Sequence, residues 1–451
     1  MKKTIFIFRR DLRVFDNSGL FEAAERGEVL PIFIFDPRQI KNNEYFSQNA
    51  FEFLINSLIE LEEEIRKRNG RVNFFYGEAE KVISKIIDEN KVDSIVVNKD
   101  VTPFSIERDK KIKEICAKKG VEFLEIDDLF LVDIEKIKKD DGKPYTVYTH
   151  FLNKASKIPV RKPREFVGKI SNEKLKGAIE ISSIEYNKNT KIKVNGGRRE
   201  GLNLLKKASK IENYQEMRNI PNLDLTSHLS AHIKFGVISI REIYQSYALA
   251  NQDQLIKELY WRDFFSSIAF NFPQVFRGAF REKYNRIEWA QNKEKLNAWK
   301  EGKTGYPIVD AGMRELNETG YMHNRVRMIC ASFLVKDLHI SWKEGEKYFA
   351  QKLVDYDPSV NNGNWQWCAS TGCDAQPYFR IFNPKLQQER FDPQCNYVKR
   401  WIFELQNCTS QKIMEIYEGG GAENYPKRIV DHKKEVQITK EMYKRAENSH
   451  L

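Results

Sequence analysis

The side chains best suited to chemistry are concentrated between positions 352 and 384 of this 451-residue chain. Carboxylates at Asp355 and Asp357 are followed closely by the adjacent amides Asn361 and Asn362. When such groups are buried, the carboxylates need cations and the amides need several hydrogen-bond partners, which an ordinary core segment does not provide. This density of polar groups predicts a binding pocket.

The segment YMHNRVRMICASFLV, just upstream, carries cations on a stretch whose apolar spacing predicts a helix. Asn324, Arg327 and Met328 stand at positions i, i+3 and i+4, so a helix presents them on one face. Tryptophans follow Asn361 within a few residues. A pocket with polar groups and aromatic walls suits a flat ligand with polar edges.

The string TSHLS has two possible interpretations. Thr226, Ser227 and Ser230 can open a helix whose free N–H groups and hydroxyls bind a phosphate. Taken alone, such a string is most often only a helix cap.

The segment LIKELYWRDFF places Glu258, Trp261, Arg262 and Phe265 on one stripe of a predicted helix. An acid, an indole and a guanidinium on one stripe could form part of a binding site. These residues alone fit a surface ion pair beside a half-buried tryptophan at least as well.

Several long strings, in order along the chain, resemble the photolyase/cryptochrome family. They are FRRDLRVFDN, TSHLS, ELYWRDFF, GKTGYPIVDAGMRELNETGYMHNRVRM, NNGNWQWCASTG, PYFRIFNP and IVDHKK. The resemblance covers nearly the whole chain and is closest to the class I enzymes that repair cyclobutane pyrimidine dimers. It implies a light-driven carbon–carbon lyase in which excited, reduced flavin adenine dinucleotide (FAD) passes an electron to a dimer flipped out of DNA and then regains it.

The resemblance assigns an FAD site to the C-terminal half of the chain. Arg327 and Asp355 would form a buried pair beside the isoalloxazine edge, and Asn361 would face flavin N5. Plant cryptochromes have Asp at that position, so Asn361 indicates repair. The cofactor-binding residues that the resemblance implies are Tyr214, Thr226, Ser227, His228, Leu229, Ser230, Arg262, Arg327, Asp355, Asp357 and Asn361.

The resemblance also implies the catalytic residues, which are Glu258, Trp261, Asn324, Met328 and Asn361. Glu258 would hydrogen-bond the carbonyls of the dimer, and Trp261 would stack on its bases. Relatives that repair (6-4) photoproducts carry histidines where this chain has Asn324 and Met328, because their chemistry needs a proton donor. Asn and Met cannot donate a proton at neutral pH, so cyclobutane dimers are the expected substrate. His323 is expected to point away from this face.

Two further sets of residues match the family. Three tryptophans match its electron-hopping chain from flavin to surface, although as sequence alone they fit core packing equally well; they are Trp289, Trp342 and Trp365. Cationic residues expected to bind DNA, together with Glu258 and Trp261, are Arg218, Arg325, Arg380, Lys385 and Arg390.

A second, antenna chromophore is expected in the N-terminal domain. Relatives that bind methenyltetrahydrofolate have Asn-Glu where this chain has Ile106-Glu107, and a Cys-Lys pair near Phe276-Arg277. With those departures, Asp100 and Glu107 fit 8-hydroxy-5-deazaflavin or a second flavin better than methenyltetrahydrofolate. An empty site is the remaining alternative.

The composition supports a DNA partner. The chain has a formal net charge of +11, typical of proteins that bind a polyanion, although a lysine-rich composition can also serve solubility. Six cysteines form no CxxC pair and no zinc spacing, so no metal is expected. The N-terminus does not resemble a signal peptide, and no apolar run is long enough to span a membrane. A reduced, cytoplasmic, monomeric protein is expected.

The patterning predicts an α/β N-terminal domain and an all-helical FAD-binding domain. Strand-like runs alternate with helical ones from 3 to 126, which predicts a doubly wound, parallel, five-stranded, Rossmann-like sheet, although no GxGxxG motif is present. The predicted boundaries are 1–128 for this antenna domain, 129–200 for a linker with one short helix near position 148, and 201–451 for the helical domain. The C-terminal tail is expected to be a short, solvated helix.

Three other functions fit parts of the sequence. A cryptochrome-like photoreceptor would bind FAD but signal through a partner, and Asn361, Met328 and the short tail argue against it. A repair enzyme specific for single strands would lose activity on paired DNA. A basic DNA-binding protein without enzymatic activity would be colourless when purified.

Overall fold

A parallel β-sheet forms the centre of the N-terminal domain in the computed structural model, which describes residues 2–41 and 43–448. Its strands are β1 (Lys3–Phe8), β2 (Glu28–Phe35), β3 (Asn73–Tyr76), β4 (Ser94–Asn98) and β5 (Glu122–Ile126). They lie in the order β3-β2-β1-β4-β5, and every pairing is parallel. The predicted five-stranded, doubly wound sheet is confirmed.

The central strands of the sheet carry continuous apolar runs, which suits their position between two layers of helices. In β1 the run TIFIF is buried throughout, because helices cover both faces of the sheet. Strand β5 lies at an edge and is only partly buried. The helices of this domain are α1 (Ser18–Arg26), α2 (Pro37–Ile40), α3 (Gln48–Lys67), α4 (Ala79–Glu89) and α5 (Pro103–Lys118). In α3 the predicted apolar stripe packs on the sheet, and the side chain of Ser47 caps its first turn.

The connector that follows β5 runs back along the sheet domain. It contains the short helix α6 (Tyr148–Ala155), where the sequence predicts one. Ile170 and Ile179 form isolated bridges to β2 and β3, and Phe166 and Leu175 are buried against the sheet domain. The connector therefore completes the core of the N-terminal domain as well as linking the two domains.

Helices form the rest of the chain. They are α7 (Arg198–Ala208), α8 (Tyr214–Met217), α9 (Ser230–Lys234), α10 (Ile240–Leu249), α11 (Asp253–Asn271), α12 (Lys293–Glu301), α13 (Pro307–Thr319), α14 (Asn324–Lys336), α15 (Trp342–Lys352), α16 (Pro358–Cys368), α17 (Pro384–Phe391), α18 (Asn396–Trp401), α19 (Ser410–Ile416) and α20 (His432–Asn448). Proline begins α13, α16 and α17, where its missing N–H leaves no hydrogen bond unmade. The predicted all-helical domain is confirmed.

A buried network of charges joins the two domains. Asp16 and Asp128, both fully buried, accept hydrogen bonds from the guanidinium group of Arg241 on α10. Arg13 pairs with Asp128, and Arg161 pairs with Asp16. Removing one member would leave an uncompensated charge, so this network fixes the helical domain against the sheet domain.

The C-terminal helix α20 is packed more closely than the sequence indicates. Tyr443 and Thr439 are fully buried, and the hydroxyl of Tyr443 donates to the carbonyl of Ala369. The expectation of a solvated tail is therefore wrong over the described part of α20, because its inner face packs on the helical domain. Residues 449–451 of that tail lie outside the described residues.

Candidate flavin and substrate cavity

A cavity of about 440 Å³ opens within the helical domain. Its wall contains most of the site residues that the sequence predicts, although they lie as far apart as positions 214 and 365. They are Tyr214, Arg218, Thr226, Ser227, His228, Ser230, Glu258, Trp261, Arg262, Asn324, Arg327, Met328, Asp355, Asp357, Asn361 and Trp365. The fold thus brings the residues of four sequence segments to one site.

Asp355 connects three elements at the cavity wall. It accepts two hydrogen bonds from the guanidinium of Arg327, at 2.9 and 3.2 Å, and one from the hydroxyl of Ser230 at 2.6 Å. Arg327 also donates to the carbonyl of Met322, and Asp355 raises the pKa of Arg327 although burial opposes it. The predicted pair is present and joins α9, α14 and the turn before α16.

Asp357 has a different role from its neighbour. Its carboxylate accepts from the backbone N–H groups of Ser359 and Val360, so it caps α16, the helix that carries Asn361 and Trp365. It is also paired with Arg10, which follows β1 in the sheet domain. Burial alone would raise the pKa of Asp357, but Arg10 and Arg262 outweigh it and lower the pKa.

Asn361 is oriented by a residue that the sequence analysis did not identify. Its amide Nδ2 donates to Oε1 of Glu346 at 2.9 Å and to the Glu346 carbonyl at 3.1 Å. Burial raises the pKa of Glu346 to about 7, against opposing hydrogen bonds from Asn361 and Tyr45. Because both amide hydrogens are directed toward α15, the amide oxygen is left for the cavity. Glu346 stands in the ordinary helical string KEGEKYFA, so nothing in the sequence indicated it.

Two glycines let the walls of the cavity approach each other. A Cβ on Gly345 would lie 2.1 Å from the ring of Trp365, and one on Gly363 would lie 2.2 Å from the ring of Phe265. Larger residues would push α15, α16 and α11 apart. The cavity width at Trp365 therefore depends on both glycines.

The TSHLS loop lies along one side of the cavity. Helix α9 begins at Ser230, and Thr226 and Ser227 precede it as a loop, in which the Thr226 hydroxyl contacts Tyr321 at 3.2 Å. The side chain of Leu229 is fully buried in the core and does not line the cavity, so its role in cofactor binding stays a prediction. Leu229 can reach a ligand through its backbone alone.

Lys234, four residues after Ser230, is a cavity residue that the sequence analysis missed. Burial and the nearby Arg10 lower its pKa to about 7, although Asp357, Asp100 and Asp355 oppose the change. Its position one helical turn after Ser230 was the signal that could have identified it.

Glu258 lies between a cation and a phenol. Arg218 forms an ion pair with it at 2.5 Å, and the hydroxyl of Tyr214 donates to both carboxylate oxygens at 3.2 and 3.3 Å. Burial raises the pKa of Glu258, while Arg218 and Tyr214 act in the opposite direction. Trp261 is next to it on α11, and its ring is stacked at 3.6 Å on the ring of Tyr148 from the connector.

The first turn of α14 presents Asn324 and Met328 to the cavity, as predicted. His323 precedes them and caps the helix, since its Nδ1 accepts from the backbone N–H of Arg325 at 3.2 Å. Burial lowers the pKa of His323 to about 3, so its imidazole is neutral at physiological pH. It does not line the cavity, which agrees with the predicted orientation.

The three predicted tryptophans differ in exposure. Trp365 lines the cavity and is 2% exposed, Trp342 at the start of α15 is 3% exposed, and Trp289 is partly exposed. Trp289 packs edge-on against Tyr443 of α20, with ring centroids 6.4 Å apart. Trp365 and Trp342 are thus buried, and Trp289 alone of the three reaches the surface.

Of the cations predicted to bind DNA, Arg218 lines the cavity and the other four do not. The guanidinium groups of Arg325 and Arg390 lie 4.5 and 5.2 Å from the centroid of the Phe391 ring, and Arg380 is exposed. Lys385 is paired with Glu418 and Glu389, so its charge is partly neutralised.

The predicted antenna residues are not brought together. Asp100 follows β4, is buried, and forms an ion pair with Arg10 at 3.6 Å. Glu107 is exposed on α5 and paired with Lys111, and its role in antenna binding stays a prediction. Instead, the guanidinium groups of Arg38 and Arg108 flank the ring of Phe104, at 5.3 and 5.8 Å.

The donor set of the cavity fits a flavin dinucleotide and not a metal ion. Amides, guanidinium groups and several hydroxyls suit the edge and phosphates of such a ligand, and Phe265, Phe349 and Trp365 suit its flat ring. Within residues 2–41 and 43–448, no group of His, Cys, Asp and Glu side chains is arranged to hold a metal. Over the same ranges, no helix is long and apolar enough to cross a bilayer.

Comparison with known proteins gives a consistent result. Residues 4–166 match the model of the DNA photolyase family, and residues 255–445 match the FAD binding domain of DNA photolyase. The deoxyribodipyrimidine photo-lyase of Alkalihalophilus pseudofirmus is 34% identical over 95% of each chain.

Solved structures agree over the whole length. An archaeal photolyase from Sulfolobus tokodaii has 45% identity and a TM-score of 0.91 over 98% of this chain and 99% of its own. That structure is described as holding two FAD molecules, with the implication of a novel light-harvesting cofactor. A bacterial class III photolyase from Agrobacterium tumefaciens has 32% identity and a TM-score of 0.92 over 100% and 98%. With the two domains, the cavity and the full-length matches in agreement, this chain belongs to the photolyase/cryptochrome family.

Proposed function

We propose that this protein is a light-driven DNA repair enzyme, a deoxyribodipyrimidine photo-lyase that splits cyclobutane pyrimidine dimers. One observation carries the proposal: two sets of residues line the same cavity. Asn361 and Arg327 suit a flavin edge, and Glu258, Trp261 and Met328 suit a pyrimidine dimer. Electron transfer between a cofactor and a substrate needs this proximity.

FAD binding rests on the chemistry of the wall. Arg327 and Asp355 would hold the polar edge of the ring, and the amide oxygen of Asn361 would be free to accept a hydrogen bond from it. The TSHLS loop and Lys234 bind the diphosphate. Reduced FAD, when bound, supplies the electron on absorbing light.

The residues at the mouth bind and orient the dimer. Trp261 stacks on its bases, a contact worth about 1–3 kcal/mol per base. Once Arg218 turns toward a DNA phosphate, burial raises the pKa of Glu258 without that opposing cation, so the carboxyl is protonated. Its O–H then donates to a dimer carbonyl and stabilises the negative charge that forms on the dimer. Asn324 and Met328 contact the dimer without supplying a proton.

The preference for cyclobutane dimers over (6-4) photoproducts follows from the lack of a proton donor among Asn324, Met328 and His323. Asn324 and Met328 have no acidic hydrogen, and His323 is neutral and used as a helix cap. Repair of a (6-4) photoproduct requires a proton at this point. Splitting a cyclobutane ring requires none.

DNA binding is assigned to the cations around the mouth. Arg218, Arg325 and Arg390 neutralise phosphates on either side of a flipped dimer, and Arg380 and Lys385 extend this surface. Trp365, Trp342 and Trp289 provide a route by which the flavin is reduced from the surface.

A second flavin in the sheet domain is the antenna that the geometry supports. Ligands of doubly wound sheets bind at the carboxyl ends of the strands, where the strand order reverses. Here that point lies between β1 and β4, next to Arg9, Arg10 and Asp100, and one nitrogen of buried Arg9 has no hydrogen-bond partner. Phe104, with the guanidinium groups of Arg38 and Arg108 near its ring, adds an aromatic and cationic surface close by.

The decisive experiment illuminates purified protein with ultraviolet-damaged DNA and measures dimer loss. Wild type repairs in light and not in darkness, whereas Glu258→Ala retains its FAD and repairs fewer dimers per absorbed photon. Dimer loss that does not depend on light, or no loss at all, rejects the function, and FAD binding without repair would favour a cryptochrome-like receptor. Denaturation and chromatography of the released pigments count the flavins per chain and identify any deazaflavin or folate.

A further inference from the structure

We propose that Tyr148 is a positioning residue that holds the indole of Trp261 in the plane needed to stack on a pyrimidine dimer. The inference rests on the proposed function and assigns a substrate-recognition role to the connector between the domains. Tyr148 belongs to α6, a helix outside the FAD-binding part of the chain.

The contact between the two rings is close and flat. Their centroids are 3.6 Å apart and their planes differ by 9°. Tyr148 is 8% exposed and lies outside the cavity wall, whereas Trp261 lines the cavity. Tyr148 therefore covers the face of the indole that is turned away from the cavity, and the opposite face is available to a ligand.

Two hydrogen bonds hold the tyrosine in register with the tryptophan. Its hydroxyl donates to the carbonyl of Lys257 at 2.7 Å, one turn before Trp261 on α11. Its backbone N–H donates to Oδ2 of Asp374 at 3.0 Å, in the loop after α16. The ring is thus attached to the helix that carries the indole and to the loop beside the cavity.

Phe264 and Phe265 restrain the indole on other sides. Phe264 meets it nearly at right angles, 5.7 Å away, and Phe265 lies 5.4 Å away. Tyr148 alone makes a parallel contact among these aromatic neighbours, so it determines the tilt of the ring. A fixed ring loses less rotational freedom when a base stacks on it.

The test compares three variants by their affinity for a short duplex that carries one thymine dimer and for the undamaged duplex. Tyr148→Leu removes the stacked ring, Tyr148→Phe keeps the ring and removes only the hydroxyl, and His150→Ala alters an exposed residue of the same helix. An aromatic pair contributes enough to change affinity about two- to tenfold. We expect Tyr148→Leu to weaken binding to the dimer duplex by about this factor, with unchanged affinity for undamaged DNA.

Further readouts separate positioning from general damage. FAD content and repair per photon at saturating DNA should stay at the wild-type value in Tyr148→Leu. Tyr148→Phe keeps the stacked ring and loses only the hydrogen bond to Lys257, so it should lose less dimer affinity than Tyr148→Leu, and His150→Ala should resemble wild type. Equal dimer affinity in Tyr148→Leu and wild type would overturn the proposal, as would equal losses in the Leu and Phe variants. If Tyr148→Leu does not fold with full FAD, Tyr148→Met provides the same comparison. A wild type that does not prefer the dimer duplex contradicts the proposed function instead.

Discussion

Glu346 gives the sharpest prediction about the candidate site, because its ionisation is coupled to the position of Asn361. Burial raises its pKa from 4.5 to about 7. A pKa change of one corresponds to about 1.4 kcal/mol, so this change corresponds to about 3 kcal/mol. The protonated form is favoured in the folded protein, so the stabilising contribution is complete below pH 4.5 and is lost as the pH rises through about 7.

The substitution Glu346→Gln removes this ionisation and keeps an oxygen that accepts from Asn361. We expect the free energy of unfolding of the variant, relative to wild type, to increase by about 2–3 kcal/mol between pH 5 and pH 8. Urea denaturation of the FAD-bound proteins at both pH values measures it. Glu344→Gln, an exposed position on the same helix, is the matched control and should show no such increase. A difference between Glu346→Gln and wild type that is the same at both pH values would refute the reasoning.

Three other predictions concern the cavity and the DNA surface. Arg327→Met leaves Asp355 without its cation and should lower the free energy of unfolding by about 3–5 kcal/mol. Adding Asp355→Asn should restore part of that loss. Additive effects of the two substitutions would contradict a coupled pair. Trp261→Ala should weaken binding of dimer-containing DNA by about 5- to 150-fold in equilibrium titrations and leave undamaged DNA nearly unaffected. Arg390→Ala should weaken binding of damaged and undamaged DNA alike, and the slope of log K against log salt concentration should fall by the equivalent of about one phosphate contact. Lys385→Ala should have a smaller effect, because Glu418 already neutralises Lys385. An effect of Arg390→Ala on damaged DNA alone would place Arg390 at the dimer instead.

Strands, helices and the residues that share a helical face could be predicted from the sequence alone, because they depend on patterns with a short period. The buried runs TIFIF and SIVVN indicate central strands because their residues are apolar on both faces, and alternation with amphipathic helices indicates parallel order. The same reasoning places Asn324, Arg327 and Met328 on one helical face. Local spacing determines which residues share a face, so these features follow from sequence.

The tail and the antenna residues show where local spacing is not sufficient. The charged string of α20 indicates solvent exposure, yet Tyr443 is buried because a neighbouring surface of the helical domain covers it. Glu107 follows Asp100 closely in sequence but faces solvent on α5, because a helix begins between them. Exposure depends on what packs against a residue, which its neighbours in sequence do not reveal.

The chain by itself determined the two kinds of domain, the segments that carry chemistry and the types of ligand that suit them. Only the tertiary structure decided the partners: Glu346 behind Asn361, Arg10 on Asp357 and Tyr148 against Trp261. In the last two cases the partners are more than one hundred positions apart, and no periodicity connects them. The free energy of burying a charge or an aromatic face depends on the partner that the fold supplies, and that partner is a property of three-dimensional packing.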